Sequence, residues 1–171
     1  MTHRRLPFLP LAAVLLAVAG CSSTDAPRSV AVPAPPTEEK ALCLALHEAL
    51  PESVAGESRR DPEPRSELTA GWGDAAIVLR CGVPRPAGLQ SEKADGVEVN
   101  GVDWYAEELE DGARFTTTYR KTYVEVTLSG RFTDMGPLTD LAGPVAKTVP
   151  PRFAQTPQGR AHTGSPASRT R

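Results

Sequence analysis

Asn100-Gly101, set between Val99 and Val102, constrains this chain more than any other local feature. A two-residue connection between antiparallel strands needs positive φ at both positions, and Asn followed by Gly tolerates that best. Its flanks then pair Val99 with Val102, and Val97 with Trp104. A second turn at Asp111-Gly112 sets Trp104 opposite Tyr119 and Glu108 opposite Phe115. A third, at Arg120-Lys121, sets Phe115 across from Val126 and Thr117 across from Val124. Side chains alternate between the faces of a strand, so all of these pairs share one face, which is mainly apolar. The other face carries Asp103, Tyr105, Glu107, Arg114, Thr116, Thr118, Arg120, Tyr123, Glu125 and Thr127, and is expected to be wet. Three turns that agree on one face predict a β-meander.

Two further segments complete the fold. Thr37 is placed to cap a helix with Glu38 and Glu39 in its first turn, where the macrodipole favours acids, and Pro51 ends it. Leu42, Cys43, Leu46, Ala49 and Leu50 form its core-facing stripe. After a polar loop from Glu52 to Arg65, the segment Ala75 to Cys81 reads as a buried strand with Ile77, Leu79 and Cys81 on one parity. Cys43 and Cys81 thus both point inward, where a disulfide joining helix to sheet would sit. A weaker C-terminal helix spans about Pro137 to Val149, with a kink or break expected at Gly143-Pro144. The predicted class is α+β: an antiparallel meander of four to five strands, with the N-terminal and C-terminal helices packed on one face.

The ends of the chain read differently. Arg4 and Arg5 precede an apolar run from Leu6 to Ala19, the layout of a secretory signal, and the run is too short for a permanent membrane span. Val18, Ala19 and Gly20 stand directly before Cys21, and this resembles the lipobox of bacterial lipoproteins. The resemblance implies cleavage after residue 20 and acylation of Cys21, so that the chain is held in a lipid bilayer at the outer face of the cell membrane. A second acyl chain converts reversible anchoring into stable anchoring. Residues 21–36, rich in Ser, Pro and Ala, read as a disordered tether. Residues 37–149 are the length of one domain, and residues 150–171 read as a disordered basic tail. Between Cys21 and Pro151 stand 13 basic and 21 acidic residues, a net charge of −8. That charge and an exported address speak against a nucleic-acid partner. They also place Cys43 and Cys81 in an oxidising compartment.

The segments WGDAAIVLRCGVPRP (Trp72 to Pro86), VDW (Val102 to Trp104) and YVEVTLSG (Tyr123 to Gly130) resemble a family of uncharacterised lipoproteins from high-GC Gram-positive bacteria, grouped under a domain-of-unknown-function label. The resemblance covers most of residues 40–149, and its helix-plus-strand cysteine pair matches Cys43 and Cys81. It implies no activity. Gly143-Pro144 departs from what resembles the family's C-terminal helix.

Catalytic sets are scarce. Cys43, His47 and Cys81 have the spacing of a partial metal site, but a fourth ligand is not evident and no cofactor is implied. His47 is the one histidine within residues 37–149, and no nucleophile elbow, zinc-protease helix or phosphate loop is present. Two features point to recognition: a cross-strand row of Tyr105, Thr118 and Tyr123 on the wet face, and Trp72 at the tight turn Gly71-Trp72-Gly73-Asp74. Such aromatics either stack on sugars and anchor protein partners, or brace the sheet and fill the core. The functional expectation is a non-enzymatic binding module that meets an envelope protein or glycan. The alternative is a carboxylate-dependent hydrolase or glycan-modifying enzyme of the envelope.

Overall fold

A computed structural model describes residues 29–91 and 94–153. The leader, Cys21, and the tail from residue 154 lie outside the described residues. In chain order the elements are α1 (Thr37–Ala49), β1 (Ser53–Val54), β2 (Glu57–Ser58), β3 (Thr69–Trp72), β4 (Ile77–Val83), a 3-10 turn (Ala87–Gln90), β5 (Gly96–Val99), β6 (Val102–Leu109), β7 (Gly112–Thr117), β8 (Tyr123–Leu128) and α2 (Gly136–Thr148). Six strands form one antiparallel sheet in the order β3-β4-β8-β7-β6-β5, and β1 and β2 form a separate ribbon. The class is α+β, with an N-terminal and a C-terminal helix packed on the sheet.

The core lies between the helices and one face of the sheet. Leu46, Leu138, Leu141 and Val145 from the helices meet Ile77, Leu79, Trp104, Val124 and Val126, and all are buried. Cys43 and Cys81 are disulfide-bonded with their Cα atoms 5.5 Å apart, stitching α1 to β4. Closing a separation of 38 residues stabilises the fold by about 4 kcal/mol in the chain-entropy account.

The turn at Asn100-Gly101 forms as its sequence dictates, with φ of 49° and 79° and Val99 paired with Val102. Phe115 also faces Val126. The second turn differs from expectation by one residue. It is made by Glu110 and Asp111, and Gly112, at φ 114°, is the position after a type I turn rather than inside a type I′ one. Trp104 therefore pairs with Thr117, not Tyr119, and Glu108 with Ala113, not Phe115. The slip is two residues, so every side chain keeps its face.

The face expected to be wet is wet only in part: Asp103 is exposed, but Thr116 and Glu125 are buried. The strand order supplies the reason: β4 lies beside β8 while β5 forms the far edge, so the connection Pro84–Asp95 must cross β8, β7 and β6. Gly88 of this crossover lies so close to the Tyr105 hydroxyl that a β-carbon there would collide with it. A second strap covers the same face from the other side. Residues 29–36, expected to belong to the tether, pack on the domain: Val30 donates its N–H to the Glu63 carbonyl, Arg80 donates to the Ala31 carbonyl, Pro33 is buried and Pro35 rests against Gly82. Beneath the straps, Arg80 pairs with Glu125 at 3.0 Å.

Gly143-Pro144 does not break α2, which is one helix with Pro144 inside it. Burial of Leu138, Leu141, Ala142 and Val145 on one stripe outweighs the single hydrogen bond that a proline nitrogen cannot donate.

Candidate functional site

The residues singled out for recognition are not assembled as the cross-strand row. Tyr105 pairs with Gly96 and Thr116, while Tyr123 pairs with Val83 at the other side of β8. Trp72 is fully buried at the end of β3, where its indole N–H donates to the Pro51 carbonyl at 3.0 Å and the Arg59 guanidinium lies 5.6 Å over the ring. It is a core residue and presents no binding surface. The tight turn follows it, at Gly73, Asp74 and Ala75, all with positive φ.

Tyr105 and Thr118 do meet in a groove at the end of the sheet where β5 and β6 join. One lobe, about 470 Å³, lies between the crossover and β5 and is lined by Leu89, Asp95, Gly96, Glu98 and Tyr105. The other, about 730 Å³, lies against the segment after α2 and is lined by Arg120, Lys121, Pro150, Pro151 and Arg152. Asp103, Thr118 and Tyr119 line both and mark the divide.

Tyr119 stands at the centre, 67% exposed and at φ 56°. A bulky residue in the left-handed region is strained and persists only where its surroundings impose it. Three sets of bonds do so. Thr118 donates its N–H to the Asp103 carbonyl at 2.9 Å, Lys121 donates to the Pro150 carbonyl at 3.0 Å, and Arg152 donates to the Tyr119 carbonyl at 2.6 Å. Arg120 turns inward, and its guanidinium donates to the Val149 and Gly101 carbonyls, each at 2.9 Å. Burial pushes its pKa below the usual arginine value, partly offset by the nearby Asp103 carboxylate. The Arg152 guanidinium lies 5.7 Å from the Tyr123 ring.

The lobes differ in sign. No lysine or arginine lines the first with Asp95 and Glu98, while Asp103, which both lobes share, lies near Arg120. Arg120, Lys121 and Arg152 line the second. Strand alternation alone predicts Tyr119 on the apolar face and Arg120 on the wet one. Positive φ at Tyr119 breaks the strand alternation and reverses both, and nothing in the local residue types signals it.

No thiol of the partial metal spacing is left to ligate, because Cys43 and Cys81 are bonded to each other. His47 instead lies 3.4 Å from an Arg59 nitrogen. Among the described residues no three His, Cys, Asp or Glu side chains converge to hold a metal ion, and no helix is long and apolar enough to cross a membrane. The buried carboxylate Glu125 is engaged by Arg80 and lies 3.6 Å from Arg114.

No curated protein and no solved structure matches the chain. One family model does match, over residues 6–153, nearly the whole of the sequence. The chain therefore belongs to the family of proteins of unknown function designated DUF3515.

Proposed function

We propose that the chain is a lipoprotein anchored through Cys21 at the outer face of the cell membrane, and that its domain is a non-enzymatic interaction module whose groove binds an envelope partner. The sequence Val18-Ala19-Gly20-Cys21 behind an apolar leader supports the anchoring. The observation that carries the binding reading is Tyr119: the fold accepts a strained backbone to hold an aromatic ring outward between two oppositely charged lobes. Exposed tyrosine flanked by arginine is a common composition of binding hot spots. Glu125 is engaged by Arg80 and Glu107 lies near Arg114, which leaves Asp95, Glu98 and Asp103 of the groove as the carboxylates that the alternative, a hydrolase, would have to use.

Two measurements test this. Mass spectrometry of the chain purified from membranes will show an N-terminal acylated Cys21, and an intact leader or an unmodified thiol overturns the anchoring. Pull-down from crosslinked cells will recover partners that Tyr119→Ala and Lys121→Glu lose. The same partners at the same yield in both variants overturns the groove.

A further inference from the structure

We propose that the partner is captured as an added β-strand: the outer edge of β5 takes an extended, cationic segment of an envelope protein. This rests on the binding reading above and names the chemistry of the partner.

The argument begins with hydrogen-bond parity. A two-residue turn makes its flanking pair a hydrogen-bonded one, and bonded and non-bonded pairs then alternate along an antiparallel ladder. Val99–Val102 is that flanking pair, so Val97–Trp104 is bonded too, and the Ala106 N–H to Asp95 carbonyl bond continues the series. Gly96 and Glu98 occupy the alternate positions. Their backbone N–H and C=O groups therefore point away from β6, along the open side of the sheet. These four groups have no partner among the described residues.

The other edge of the sheet is treated differently. Arg60 donates its N–H to the Gly71 carbonyl and Gly73 donates to Ser58, so β3 is covered by the chain itself. Folds usually blunt a free edge with lysine, proline or a bulge, none of which β5 (Gly96-Val97-Glu98-Val99) carries; its one charge, Glu98, repels acidic strands and leaves the short edge open to a cationic one. An edge left open inside a groove is the geometry of strand addition.

Side-chain chemistry selects the segment. Glu98 lies on the outer face, in the same lobe as Asp95 and Asp103; one of its carboxylate oxygens accepts the Gly101 N–H, and none of the three forms an ion pair among the described residues. Gly96 leaves room beside Tyr105 on that face. On the opposite face Val97 and Val99 are half-buried against the core. An incoming strand thus meets Glu98, paired with Asp103, on one face and valines on the other, with Asp95 just before the strand, and a segment alternating arginine or lysine with β-branched residues satisfies both faces.

The test uses the full chain and a synthetic, acetylated and amidated peptide of alternating Arg and Val as the probe. Binding will shift the amide resonances of Gly96 and Glu98 and slow their exchange at least tenfold. Glu98→Pro deletes one outward N–H without touching the bonds of Val97 and Val99 to β6, but also the carboxylate that accepts the Gly101 N–H, so it is read against Glu98→Gln, than which it will bind the peptide tenfold or more weakly. Circular dichroism and amide dispersion of this variant confirm that it folds. Asp95→Asn with Glu98→Gln will weaken the peptide independently, by about fivefold for each charge removed. Binding to Glu98→Pro as tight as to Glu98→Gln, equal binding of a peptide N-methylated at alternate residues, or unperturbed Gly96 and Glu98 amides overturns strand addition. Tighter binding of a synthetic copy of residues 154–171 than of the probe overturns the partner assignment in favour of the chain's own C-terminal segment. In the cellular pull-down, partners lost by Tyr119→Ala but kept by Glu98→Pro leave the groove reading standing and remove this one. Partners kept by both variants remove the two together.

Discussion

Tyr119 and Arg120 are adjacent in sequence and opposite in fate, one displayed and one buried, and that contrast carries the two residue-scale predictions. Left-handed backbone costs a non-glycine residue about 1 kcal/mol or more, a cost glycine does not bear. Tyr119→Gly is therefore expected to raise the unfolding free energy by about 1 kcal/mol in guanidinium titration while abolishing partner capture. A variant that gains stability yet loses partners separates display from structure; one that loses stability shows that the ring braces the fold. Arg120 works in the other direction. Its guanidinium satisfies the Val149 and Gly101 carbonyls, and Arg120→Met keeps bulk but leaves them unpaired. A loss of about 2 kcal/mol is expected, the scale of leaving the buried Val149 acceptor unsatisfied. Neither fate was legible in the sequence. Alternation rules hold only while φ stays in the β region, and no residue type near Tyr119 announces a departure.

At the scale of elements the sequence was legible wherever a local rule had a single solution. Asn100-Gly101 admits one tight turn, and the strands it joins took the register it implied. Asp111-Gly112 admits two, because glycine serves either inside a type I′ turn or just after a type I turn, and the chain adopts the second. The helix α2 shows a different limit. Proline in a helix interior costs about 3 kcal/mol relative to alanine, yet Pro144 sits within an intact helix. Packing of the buried stripe has overridden propensity, so the cost is still present in the native state. Pro144→Ala is expected to raise stability by about 1 to 3 kcal/mol, read as a shift of the denaturant midpoint at constant slope. No gain would mean that the half-buried proline ring contributes as much by packing as it loses in helix geometry. The disulfide belongs to the same scale. The apolar parity of α1 and of β4 put both sulfurs inside, and Cys43→Ala with Cys81→Ala is expected to cost about 4 kcal/mol.

The whole molecule turns on a connection that no periodicity could reveal. Strands β5 to β8 follow one another through tight turns, but β4 sits at the far side of β8 from β5, so one segment must traverse the sheet. That crossover, with Pro84, Pro86 and Gly88, reads locally as a loop. Its position over Tyr105 depends on which strands pair, and that is information spread over the whole chain. The consequence is a sheet with helices on the apolar side and two straps over part of the polar one. The N-terminal strap makes the last prediction. Residues 29–35 contribute the Val30 and Ala31 hydrogen bonds, the buried Pro33 and the contact of Pro35 with Gly82. Each bond contributes about 1 kcal/mol net, and ordering the segment takes some of that back. A chain beginning at Pro36 is expected to lose about 2 kcal/mol and to expose the Arg80–Glu125 pair to water. Double-mutant cycles would register the exposure, because Arg80→Ala with Glu125→Ala will show weaker coupling in the shortened chain than in the full one. Unchanged stability and unchanged coupling would show that the strap lies on the sheet without supporting it, and the polar face would then be as wet as its sequence suggests.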